Sequence, residues 1–178
     1  ITVNLRRKPA ESAAWLRYIL DHKGKYEPQP DVPLWEIGNE SYITMDPSFA
    51  TAKEYVDFYE GHYRQLKAVD PSVRVGAILD ANTLGLPWVK PIIPENDTWN
   101  DAVVGGLRAK GIPADFYAIH LYALFDSDPD DDKNRQALLV APAVLESKIR
   151  LVRETLARQG DTAPVYVTEF SIVMKEPL

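Results

Sequence analysis

The sequence contains no cysteine, so disulfides and thiolate metal sites are impossible, and cysteine usage says nothing of the redox compartment. No apolar run is long enough to span a bilayer, which excludes a transmembrane helix. Basic residues are too few and too evenly mixed with acidic ones to form a phosphate-binding face: 20 Lys and Arg stand against 26 Asp and Glu, a net charge of −6. That balance argues against nucleic acid or a membrane as partner and suits a ligand of little charge. No Gly-rich phosphate loop follows a strand. The adjacent pair Gly105-Gly106 falls inside a helical stretch, which removes the usual nucleotide-binding reading. No repeat or low-complexity linker is present, so no domain boundary is drawn and 1–178 is read as one segment. The opening Ile1-Thr2-Val3-Asn4-Leu5 has no initiator Met, basic stretch or apolar leader. It reads as a strand already under way, in a chain that begins inside a domain.

What is present alternates between two periods. Short β-branched or apolar runs are expected as strands over 1–5, 34–37, 73–79, 116–120 and 165–168. Helices are expected between them. From residue 11 to about 23, Ala14, Trp15, Tyr18 and Ile19 recur at helical spacing. Phe49, Ala52, Val56, Tyr59, Tyr63 and Leu66 step by three and four, with Asp46 or Ser48 as candidate caps. A helix over about 100–110 stops at Gly111, with Pro113 just beyond. The last helix follows an acidic loop, 126–134, presents Leu145, Ile149, Val152 and Leu156 on one face, and ends at Gly160. Strict β-α alternation implies parallel strands with helical crossovers, as in a doubly wound sheet or a (β/α)8 barrel.

In either architecture the C-terminal strand ends share one face, where catalytic groups collect. These ends are polar: Asn4, then Asn39-Glu40, Asp80, His120 with Tyr122, and Glu169. Core packing does not explain that, because a buried carboxylate is costly unless paired or used. Two glutamates on separate parallel strands suit glycosidic cleavage, in which one carboxyl delivers a proton and the other stays ionised.

Three segments carry a family likeness. Leu34-Trp35-Glu36-Ile37-Gly38-Asn39-Glu40 resembles the Asn-Glu signature at the fourth barrel strand of clan A glycoside hydrolases. Pro164-Val165-Tyr166-Val167-Thr168-Glu169-Phe170 resembles the seventh-strand segment bearing the clan's nucleophile. Between them, Asp115 through Tyr122, with its His120-Leu121-Tyr122, is similar to the sixth strand. Within the clan the chain looks most like family 51 and 39 enzymes, the α-L-arabinofuranosidases among them. The narrower likeness lies in Glu11-Ser12-Ala13-Ala14-Trp15, the segment Lys67 to Val73, and Trp99-Asn100-Asp101.

The resemblance implies a partial (β/α)8 (TIM) barrel, strands three to seven with their helices, and retaining double displacement on a carbohydrate without cofactor or metal. Glu40 would be the general acid/base and Glu169 the nucleophile. Asn39 would bind the sugar's 2-hydroxyl, Tyr122 would orient Glu169, and His120 would line the site. Asn4 and Asp80 are candidate substrate contacts at strand ends, and Trp88, Trp99 and Tyr42, in or beside loops on that face, are candidate stacking platforms or loop anchors. Glu36 and Glu40 share one side of the strand, so Glu36 is expected in a structural charge pair, and Trp35 in the core. Asn39-Glu40-Ser41 fits a glycosylation sequon, but a glycan there would fill the proposed site. The run from Asp126 to Asp132 suggests calcium, yet it lacks the loop glycine and has Ala137 where a bidentate Glu is needed. Other clan A specificities (β-xylosidase, endo-β-glucanase, β-glucuronidase) and a non-catalytic carbohydrate-binding barrel remnant are the alternatives. The remaining barrel segments, or self-association, are expected to cover the open strand edges.

Overall fold

A computed structural model of the chain describes residues 1–4, 6–25, 33–42, 51–81, 98–125 and 131–174. Strands and helices alternate in the order β1 (Thr2–Val3), α1 (Pro9–Asp21), β2 (Leu34–Ile37), α2 (Ala52–Val69), β3 (Arg74–Ile78), α3 (Trp99–Ala109), β4 (Phe116–Phe125), α4 (Asp131–Gln159) and β5 (Val165–Met174). All pairings are parallel, and the five strands lie side by side in chain order. That order decides between the two parallel architectures. A doubly wound sheet reverses its winding at a switch point, and this sheet never does. The helices accordingly stand in one row, α1 against α2, α2 against α3, and α3 against α4. The result is a parallel five-strand half-barrel with its helices on one side.

Alternation along each strand sorts the side chains. Trp35, Ile37, Val75, Ala77, Tyr117 and Ile119 face the helices and are buried. On the opposite face a row of register partners runs Glu36, Gly76, Phe116. Gly76 is required there: a Cβ would lie 2.2 Å from the Phe116 ring. Phe116 in turn packs on Tyr166, ring centroids 5.1 Å apart, and the Tyr166 hydroxyl accepts a 2.9 Å hydrogen bond from Arg74. These residues floor the concave face beneath the polar strand ends.

Several local expectations change. Helix α2 is capped by Thr51, not by Asp46 or Ser48, which lie outside the described residues. Its hydroxyl accepts the Glu54 N–H while the Glu54 carboxylate accepts the Thr51 N–H, so two end donors are satisfied reciprocally. The buried face of α1 is Ser12, Ala13 and Leu16, while Trp15 and Tyr18 are exposed. The offset follows from a polar contact: Ser12 Oγ lies 3.0 Å from His62 Nδ1 in the α1–α2 interface, and turning α1 that way leaves Trp15 only an edge contact with Trp35. Residues 131–134 open α4 instead of ending a loop; Asp132 pairs with Arg135 at 3.0 Å. Gly106 inside α3 has a packing cause, since a Cβ there would sit 3.0 Å from Val56 on α2.

Candidate active site

Strand β2 delivers the first carboxylate through a tight backbone turn. After Ile37, Gly38 takes φ 94° and Glu40 takes φ 44°. A side-chain-bearing residue in this left-handed region is strained by roughly 1–3 kcal/mol, and such residues cluster at functional sites. Asn39 is exposed between them.

A β-bulge delivers the second. Strands β4 and β5 pair Tyr117 with Val165, Ala118 with Tyr166 and Ile119 with Val167, and then the register jumps so that His120 faces Glu169. Thr168 is the extra residue. In unbroken register His120 would face Thr168, and Glu169 would point to the helix side, because a one-residue slip reverses every side chain. The bulge re-aims Glu169 into the concave face, a usual service of bulges near active sites. Both strands then run on, β4 to Phe125 and β5 to Met174. His120 and Glu169 therefore sit within strands rather than at their ends, because the apolar and β-branched residues that follow continue the ladder.

These elements bring four ionisable groups together. His120 Nδ1 lies 3.1 Å from Glu40 Oε1 and 3.5 Å from Glu169 Oε2, while Nε2 lies 3.5 Å from Glu36 Oε1. The imidazole and Glu36 are buried, whereas the Glu40 and Glu169 side chains remain 29% and 45% exposed. Burial alone would lower the His120 pKa. Hydrogen bonds to Glu36 and Glu40 and the negative charge of Glu169 outweigh it and raise the pKa to about 9. The ring is therefore charged at neutral pH and donates from both nitrogens. Among the described residues, Glu40, His120 and Glu169 are also the set that could hold a metal ion, with one donor atom from each within 4.8 Å of the others. A protonated ring offers N–H groups, not lone pairs, so an ion there would have to expel the ring proton.

The other described candidates have surroundings of their own. Tyr122 is half-buried on β4, opposite Ser171 and two residues beyond His120 on the same face. Asp80 is buried after β3; its N–H donates to the Asn100 side chain at 2.7 Å and its carbonyl accepts from it at 2.8 Å. Lys148 on α4 is likewise buried, where desolvation lowers its pKa and the charge of Asp80 opposes that shift. Nothing in the pattern singled out Lys148, which stands beside Glu146, Ser147 and Arg150 in a stretch of α4 rich in charge. The Asn4 side chain accepts the Arg6 N–H at 2.8 Å and so closes the turn after β1. Two aromatics offered as sugar contacts are core residues: Trp99 is buried and donates from Nε1 to the Ile78 carbonyl at 3.2 Å, and Tyr42 is buried edge-on to it. Trp88 lies outside the described residues.

No family model and no curated protein matches the sequence. Solved structures do match its fold. A GH51 α-L-arabinofuranosidase from Thermotoga petrophila RKU-1 aligns over 99% of this chain at 22% identity and TM-score 0.59, which is 35% of its own length. A GH39 β-xylosidase from Caulobacter crescentus aligns over 92% of this chain at 21% identity and TM-score 0.55, 29% of its own. A GH44 endoglucanase from Clostridium thermocellum aligns over 89% at 14% identity and TM-score 0.64, 40% of its own. The chain thus has the fold of a segment of these glycoside hydrolases and spans well under half of each.

Proposed function

We propose that this chain is the central part of the catalytic (β/α)8 barrel of a retaining glycoside hydrolase, barrel strands three to seven, with Glu40 as acid/base and Glu169 as nucleophile. One observation carries the reading: the nearest carboxylate oxygens of Glu40 and Glu169 lie within 4.8 Å of each other. Direct attack on the anomeric carbon requires carboxyls about 5–5.5 Å apart, whereas inverting enzymes need about 6.5–9.5 Å to admit water. Glu40 protonates the glycosidic oxygen as Glu169 attacks; water, deprotonated by Glu40, then releases the sugar. Asn39 binds the 2-hydroxyl and Tyr122 steadies Glu169, while Asn4, Asp80 and Trp88 line the sugar. The substrate is an α-L-arabinofuranoside of plant polysaccharide, in line with the narrower sequence likeness. A β-xylosidase or endoglucanase specificity is the second reading, because solved structures of those activities share the fold to a similar degree.

The test uses the full-length protein. Glu169→Ala should abolish turnover of every substrate. Glu40→Ala should still be glycosylated by aryl glycosides with good leaving groups, which need little protonation. Azide should then accelerate the second step and yield a glycosyl azide of retained configuration. A product of inverted configuration refutes the assignment.

A further inference from the structure

Double displacement moves negative charge from one catalytic carboxylate to the other. Before the first step Glu169 must be ionised and Glu40 protonated; in the glycosyl-enzyme Glu169 is a neutral ester and Glu40 is the ionised base. A fixed donor serving only one of them would favour one step at the expense of the other. The His120 ring is placed to serve both, since a single nitrogen, Nδ1, reaches Glu40 at 3.1 Å and Glu169 at 3.5 Å. Its opposite nitrogen points down to Glu36 at 3.5 Å, on the floor of the concave face. The Glu36 side chain is only 8% exposed, too enclosed to meet a sugar directly.

We propose that Glu36 is a positioning residue for catalysis: it holds His120 as a charged bridge whose Nδ1–H serves whichever of Glu40 and Glu169 is ionised. This rests on the glycosidase reading above and adds to it a residue that touches no substrate. No proton leaves the ring in the cycle; the transferred proton passes from Glu40 to the leaving oxygen and returns to Glu40 from water. Without the Glu36 charge below it, the ring loses the partner that does not change during turnover and sheds its proton more readily. A neutral ring, with one N–H, can point that donor at Glu36 or at the catalytic pair but not at both. Residues that orient the ligands of metal sites in this way typically carry about 10- to 100-fold in activity, and an effect of similar size is expected for a buried carboxylate that orients His120.

The test compares Glu36→Gln and Glu36→Asp with wild type in the full-length protein. Gln keeps the shape and loses the charge; Asp keeps the charge and loses reach. For aryl glycosides with good and poor leaving groups, Glu36→Gln should lower kcat about 10- to 100-fold with KM within about threefold. Glu36→Asp should retain more activity than Glu36→Gln. A packing role gives the reverse order, since Asp leaves a gap and Gln does not, and that order overturns the inference. Independently, imidazole nitrogen NMR of the wild type should show His120 protonated at pH 7.5, and in Glu36→Gln its titration should move down by a unit or more. A neutral wild-type ring at that pH, or an unmoved titration, also overturns it. The wild-type measurement decides even where a variant does not fold. Absence of glycosidase turnover in the wild type refutes the functional reading alone, and the titration then still decides whether Glu36 controls His120.

Discussion

Tyr55 on α2 ties the scaffold to the position of Glu40. Its hydroxyl donates to the Ile37 carbonyl at 2.8 Å and accepts the Ile78 N–H at 2.8 Å. The β2–β3 ladder ends at the pair Ile37 and Ala77, so the phenol spans the two strands where backbone pairing stops. Burial pushes its pKa up, and it remains a donor at any working pH. Tyr55→Phe keeps the ring in its cluster with Tyr59 and Trp99 but strands one carbonyl and one N–H on residues that are essentially inaccessible to water. Each buried, unpaired backbone group costs about 1–3 kcal/mol. With partial relaxation of two such groups, we expect a loss of about 2–4 kcal/mol, a large part of a typical total of roughly 5–15 kcal/mol. The freed carbonyl is followed directly by Gly38-Asn39-Glu40, so Glu40, the proposed acid/base, loosens as well. A displacement approaching 1 Å can cost about 100-fold in rate, and a kcat loss of at least about tenfold is expected. Urea unfolding and steady-state kinetics of the full-length variant measure the two effects. Tyr63→Phe, on the half-buried side of the same helix, serves as the control and should stay within about 0.5 kcal/mol of wild type. An equally small change in Tyr55→Phe would refute the account of a hydroxyl replacing a ladder rung.

Three further outcomes follow from the same geometry. Burial lowers the His62 pKa to about 4, so stability should fall as pH drops from the unfolded-state value near 6.5 towards 4, by on the order of 2 kcal/mol; His120, raised to about 9, should contribute stability that is lost as pH rises from about 6.5 to 9. Urea midpoints across pH should therefore peak near neutrality, and the acid arm should flatten in His62→Gln. The positive φ of Glu40 predicts that Glu40→Gly is more stable than Glu40→Ala by about 1 kcal/mol, both being inactive on unactivated substrates, because glycine adopts that backbone without strain; equal stabilities would show that the turn carries none. Finally, Val167 and Phe170 are exposed beside Leu145 and Ile149, in an apolar groove of about 700 Å³, a surface that invites association when nothing covers it. The 178 residues alone should self-associate in light scattering and give no turnover, and Phe170→Ser should reduce the association.

Much of the architecture is a local property, and the sequence by itself determined it. The strand over Leu34–Ile37 needs only a short apolar run before a glycine, and the spacing from Ala52 to Leu66 needs only the helical period. The order of the elements, the parallel sheet they imply, and the delivery of Glu40, His120 and Glu169 by neighbouring parallel segments follow from chain order. What only the tertiary structure decided is which way those side chains point and what they touch. The Thr168 bulge cannot be read from Val165-Tyr166-Val167-Thr168-Glu169, because strand alternation continues unbroken through it; the jump exists only relative to β4. The burial of Ser12 against His62 reverses the apparent apolar face of α1 for the same reason, since its cause lies on another helix. Glu36 looked like one half of a structural charge pair, and the ring it meets belongs to β4, with Glu40 and Glu169 on its other nitrogen. Side-chain period is set by each strand's own backbone. Register, cap choice and charge partners are set by hydrogen bonds and ion pairs between segments far apart in the chain, and these form only once the sheet has assembled.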